Sequence, residues 1–198
     1  MTTRYYILEN PSPQQWRRML DWALARAQQV EFLHFDLRGP LPKDLRPFEA
    51  QLEATFITCY YWGAFQLRTA RVFRLHLNDA LREFLTARPA LSDWVAPPPA
   101  VMGPALYADD IPIFWTIAHE NRVFLWLDEE AARAWQAQGA ALKPAEDLTP
   151  PIVKPDVSCK RHSWGDRTIM ILALIILLGF LGMAFFMIEG FLRLAGLL

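Results

Sequence analysis

The chain has 198 residues, with 20 Lys and Arg against 21 Asp and Glu, and its charges are scattered rather than gathered into runs. That balance leaves no basic face of the kind nucleic-acid phosphates need, and no acidic tail. Without its apolar end and the Pro-rich stretch before it, roughly 145 residues remain, enough for one compact domain with its own core and too few for two.

Residues 4–10, RYYILEN, read as an apolar and aromatic strand. A helix follows, with Ser12 placed to cap it, Pro13 in the first turn, and Trp16, Leu20, Ala23, Leu24 and Ala27 on one face. VEFLHFDL (30–37) is a second extended run, and RGPLPKDLRP (38–47) is a loop by its glycine and prolines.

Two later stretches resemble each other, RVFRLHLNDALREFLTARPA (71–90) and RVFLWLDEEAARAWQAQGAA (122–141). Each gives a strand, a capping Asn78 or Asp128, and a short amphipathic helix ended by proline or glycine. Each also follows another extended run, ATFITCYYW (54–62) turning near Gly63, and IPIFWTIA (111–118) turning at HENR (119–122). Two strand–turn–strand–helix units are therefore expected. SDWVAPPPAVMGP (92–104) reads as an extended connector of polyproline character.

The expected fold is α+β: a two-layer, mainly antiparallel sheet of about six strands covered by about three helices, plus one C-terminal transmembrane helix. Its divisions are a cytoplasmic domain at 1–145, a Pro-rich juxtamembrane linker at 146–167, the span at 168–188 and a short far-side tail at 189–198.

The span carries no charge over 21 residues and is apolar on every face. At about 1.5 Å per residue a helix of that length crosses a bilayer core of roughly 30 Å. Lys154, Lys160, Arg161 and Arg167 precede it and Arg193 follows, so the bulk of the chain is expected in the cytoplasm, as a single-pass, tail-anchored protein. Gly179 and Gly182 leave flat places for a neighbouring helix, and Glu189 with Arg193 form an i,i+4 pair at the far end.

Catalytic signatures are scarce: no glycine-rich phosphate loop, nucleophile elbow, HExxH or paired Cys motif occurs. The best acid–base candidates are His34 with Asp36, His76, and His119 with Glu120, but strand alternation and a turn account for each without catalysis. Asp109 and Asp110 read as a turn rather than a cation site. Cys59 and Cys159 are expected as thiols in a reducing cytoplasm, and Cys159 with His162 offer a metal only two ligands of four. No catalytic, cofactor or metal residue is assigned.

The aromatic load is unusual. In CYYWGAF (59–65) four aromatics crowd a hairpin tip where not all can face one core. Tyr60, Tyr61, Trp62 and Phe65, with Gly179 and Gly182 in the span, are the expected partner-binding residues. The expectation is a non-catalytic accessory, stabilising or assembly subunit of a larger integral membrane complex, an energy-transducing one being the kind in which such subunits occur. Its partners are then the lipid bilayer, other integral membrane subunits and, in one version, a soluble cytoplasmic protein. The alternatives are a tail-anchored enzyme with an unfamiliar site and a membrane-tethered adaptor.

Overall fold

A computed structural model describes residues 3–95, 101–146, 148 and 152–155. In chain order the elements are β1 (Thr3–Glu9), α1 (Pro13–Leu24), β2 (Gln29–His34), a 3-10 segment (Lys43–Gln51), β3 (Leu52–Tyr61), β4 (Ala64–His76) and α2 (Asp79–Thr86). After a 3-10 turn at Leu91–Trp94 come β5 (Met102–Ala108), β6 (Ile111–Ile117), β7 (Arg122–Asp128), α3 (Glu129–Ala137) and β8 (Lys143–Pro144). The strands form one sheet of eight in the order β3-β4-β2-β5-β6-β7-β1-β8, antiparallel at every pairing.

The α-helices start where their caps direct. The side chains of Ser12, Asn78 and Asp128 accept the backbone N–H groups of Gln15, Leu81 and Ala131, satisfying donors that a helix cannot pair within itself. Lys43–Pro47, expected as loop, instead opens a 3-10 segment, Lys43–Gln51, that is broken at Phe48. Leu45 and Phe48 are both buried and anchor the segment on the core, while Pro42 at the N-terminal boundary costs no hydrogen bond.

Two strands exceed the six expected. β5 begins inside the stretch read as a connector (92–104) and runs past it to Ala108; Gly103 and Pro104 weaken its strand pattern. Those two residues fall where the β2–β5 register shifts between Glu31 and Leu33, and a bulge is where a sheet admits proline. Gly103 also lets β6 approach closely, since a Cβ there would lie 2.2 Å from Thr116 Oγ1. β8 has only two residues, too few to carry any period.

The connectivity is nested. β2, Lys43–Gln51, β3, β4, α2 and β5 follow the β-α-β-β-α-β path of the split βαβ unit, with strands in the order β3-β4-β2-β5. β1, α1, β6, β7, α3 and β8 follow the same path in the order β6-β7-β1-β8, with the first unit inserted between α1 and β6. The two similar stretches of sequence thus occupy equivalent places in the two halves, joined through the β5–β6 pairing.

The helices share one face of the sheet, over a core that includes Trp16, Leu20, Phe32, Phe73, Leu81 and Leu125. The opposite face is neither bare nor helical. Its aromatics pack together: the Trp115 and Phe124 rings stack at 4.3 Å, and Tyr5 meets Trp115 edge-on at 4.5 Å. Ala145, Leu148, Ile152 and Val153 lie against this face, and Ala145, Ile152 and Val153 are buried. Backbone bonds hold the chain there: Ala145 N–H donates to Tyr5 O at 2.8 Å, Gly63 N–H to Ile152 O at 3.0 Å, and Lys154 N–H to Tyr60 O at 3.2 Å.

That return path bears on the cysteines. Cys59 is buried and disulfide-bonded, not the free thiol expected. The only other cysteine in the sequence, Cys159, lies outside the described residues. Separation along the chain suggested no bridge, yet Lys154 is hydrogen-bonded to both neighbours of Cys59, at Thr58 and Tyr60.

No helix among the described residues is long and apolar enough to cross a membrane. The apolar stretch 168–188, with Gly179 and Gly182, falls outside them.

Candidate interaction surface

The β3–β4 hairpin turns at Trp62 and Gly63, with φ of 58° and 75°. Two successive left-handed residues are what the right-handed twist of a two-residue hairpin asks for, and glycine takes the second at no steric cost. Trp62 takes the first against its intrinsic preference. Its ring is held by Tyr61 at 4.9 Å, His119 at 4.8 Å and Phe35 at 6.4 Å.

The four aromatics of the tip divide as crowding required. Tyr61 is buried with Leu33, Val72 and Val153, and its hydroxyl donates to Arg68 O at 2.8 Å. Burial pushes that phenol up to about 12, with the Arg68 charge opposing. Tyr60 is half-buried, donates its hydroxyl to Gly63 O at 2.9 Å, and carries the Lys154 ammonium 4.3 Å from its ring centre. Phe65 is 60% exposed.

Phe65 has company. Ile57 is 50% exposed and Leu67 fully exposed, so three of the five exposed large hydrophobic side chains among the described residues lie on this hairpin. They also share a face. Tyr60 pairs with Phe65 and Ile57 with Arg71, and a period of two carries Phe65, Leu67 and Arg71 to the same side. Further along that side Phe73 is buried in the helix-covered core, while Phe65 and Leu67 at the outer end are uncovered.

The two sheet edges differ. β8 is two residues long and ends in Pro144, a form that discourages pairing with another chain. β3 is ten residues long, without proline or lysine. From Leu52 to Ile57 no strand pairs with its outer side among the described residues. Such an edge offers a row of backbone donors and acceptors to an incoming strand.

The histidine candidates stay apart. His34 lies opposite Arg71 and His76 opposite Gln29 in the β2–β4 ladder, five positions apart, or roughly 17 Å. His34 Nδ1 lies 3.1 Å from the backbone oxygen of Asp36, not its carboxylate. His76 is exposed and 3.6 Å from Glu53, and His119 is 3.9 Å from Glu120. Asp109 and Asp110, at φ of 48° and 62°, form the β5–β6 turn. No cluster of three or more His, Cys, Asp or Glu among the described residues is arranged to hold a metal ion.

One polar cluster was not legible in the sequence. Glu31 on β2 is buried, and its Oε1 accepts from Arg74 Nε at 2.9 Å and lies 2.7 Å from Arg74 Nη2, while its Oε2 accepts from the Tyr107 hydroxyl at 2.6 Å. Burial raises the Glu31 carboxyl above its usual range, opposed by the Tyr107 bond and the Arg74 charge. Burial and the neighbouring Glu31 hold Tyr107 well above the usual phenol range. The partners stand 43 and 76 residues away, beyond any local pattern. The adjoining cavity, between Glu31, Leu33, Trp62, Gly103 and Trp115, has room for one water at about 10 Å³, far short of a substrate. With both carboxylate oxygens engaged, the cluster ties three strands together.

No protein-family model, no curated protein and no solved structure matches this chain.

Proposed function

We propose that this chain is a non-catalytic accessory, stabilising or assembly subunit of a larger integral membrane complex, with 168–188 crossing the bilayer as a single helix. The observation that carries the reading is the open β3 edge, unpaired on its outer side from Leu52 to Ile57 among the described residues, in a sheet whose other edge is blunted. A partner subunit would add a strand along Leu52 to Ile57, with Ile57 as a side-chain contact and the hairpin of Tyr60, Tyr61, Trp62 and Phe65 beside it. Tyr61 serves there from beneath, by stiffening the hairpin. Gly179 and Gly182 are proposed as a second contact, inside the membrane.

The test is native electrophoresis of full-length protein from mild detergent, with identification of co-migrating chains, beside the double variant Thr55→Lys, Ile57→Lys. Edge lysines block strand addition. The wild type should run in a complex with integral membrane chains, and the variant should leave it while its thermal unfolding stays within a few degrees. An undisturbed complex would remove β3 as the interface. A soluble partner in place of integral ones would support the tethered adaptor.

Orientation carries two readings. The basic flank of 168–188 places the domain in the cytoplasm. The disulfide at Cys59 favours the other side, because such bonds persist in oxidising compartments.

A further inference from the structure

We infer that the β3–β4 hairpin tip rests on the bilayer itself, with Phe65 and Leu67 entering the headgroup region of an anionic membrane surface.

The last described residues lie against this tip. The described residues end at Pro155, and Lys154, just before it, donates its N–H to Tyr60 O and lays its ammonium over the Tyr60 ring. The uncharged stretch starts at residue 168, so twelve residues, 156–167, lie between. Fully extended they reach at most about 40 Å. With 168–188 in a bilayer, that reach allows the tip to touch its surface.

The chemistry of the tip matches that surface. Phe65 and Leu67 are apolar and uncovered, and Tyr60 presents a ring with a polar end, the arrangement found where side chains meet headgroups. From Ala54 to Asn78 the sequence has no Asp or Glu and three arginines. Of these, Arg74 is paired with Glu31 and Arg71 donates to Gly39 O and Pro40 O. Arg68 stacks on Phe35 and has no carboxylate partner among the described residues, nor has Lys154. Glu120, beside the His119 that packs on Trp62, is neutralised by Arg122 at 2.7 Å. Residues 156–167 carry Lys160, Arg161 and Arg167 against Asp156 and Asp166, three positive charges to two negative. The opposite end of β4 has the contrary character: Asp110 lies near Arg74 there, beside Asp109 in the β5–β6 turn.

A protein partner for such a tip would need a negatively charged rim around an apolar floor. An anionic bilayer offers that combination everywhere.

The proposal rests on the membrane span but needs no partner subunit, so its test contains none. Full-length chain carrying p-benzoylphenylalanine at 65, 67 or, as control, 111 is placed in nanodiscs of phosphatidylcholine, with and without phosphatidylglycerol, and irradiated. Ile111 is also exposed but sits at the far β5–β6 turn. Lipid adducts are expected at 65 and 67, several-fold more with phosphatidylglycerol, and none at 111. Trypsin cleavage after Arg68 in the unsubstituted chain should be several-fold slower in the anionic discs. Protein-only adducts, no adducts, equal labelling at 111, or a cleavage rate unaffected by lipid charge would overturn the proposal.

Discussion

Glu31 and Arg74 stand directly opposite each other on β2 and β4, joined at 2.7 Å on the face that carries no helix. Tyr107, from β5 on the other side of β2, takes the second carboxylate oxygen. A one-residue slip of β2 would turn Glu31 toward the helices and leave its charge among apolar side chains. The cluster therefore opposes wrong pairing at the centre of the first split βαβ unit.

Removing one partner should cost far more than removing both. Arg74→Met leaves a buried carboxylate unpaired, at about 3 to 5 kcal/mol of folding stability. Glu31→Leu with Arg74→Met, by contrast, should lie close to wild type. Denaturant unfolding of the chain cut before residue 168 gives the cycle. Additive losses would mean that the two side chains do not act as a pair.

The same carboxyl gives a pH dependence of fixed sign. Its folded value is raised above the usual 4.5, burial being the largest cause. The folded state therefore holds the proton to higher pH than the unfolded chain does. Its contribution to stability is fully present below about pH 4.5 and is lost as pH rises through the folded value. Glu31→Gln should flatten the stability curve in that window above pH 4.5. An unchanged slope would show that the carboxyl titrates alike in both states.

The tip aromatics should separate by which side of the sheet they serve. Tyr61→Ser removes a buried ring and should cost about 3 to 5 kcal/mol of folding stability. Phe65→Ser changes an exposed one and should stay within about 0.5 kcal/mol. Thermal unfolding of the two variants decides it. Equal losses would mean that Phe65 is covered in the folded protein.

The state of Cys59 reports the compartment. Non-reducing digestion and mass spectrometry of protein taken from its native membrane should recover Cys59 joined to Cys159, since the sequence has no third cysteine. Recovery of both as free thiols would remove the case for an oxidising compartment and leave the orientation to the basic flank.

Sequence alone determined what depends on a residue's near neighbours. Ser12, Asn78 and Asp128 bond backbone groups three residues on, so their helices begin as the local pattern predicts. The alternation of β2 and β4 likewise states which side chains share a face. Tertiary structure decided the rest, because its terms join residues that no window contains. β5 forms although Gly103 and Pro104 argue against it, since a bulge against β2 accommodates them and β6 pairs its far side. β8 is a strand only because β1 is beside it. Tyr60, Tyr61, Trp62 and Phe65 read as one aromatic cluster, and only the β3–β4 register together with residues 152–154 buries Tyr61 and leaves Phe65 in the open. Glu31 is unremarkable in its own strand. It becomes a structural centre because folding brings Arg74 and Tyr107 to its two oxygens, and a buried carboxylate is tolerable only with partners of that kind.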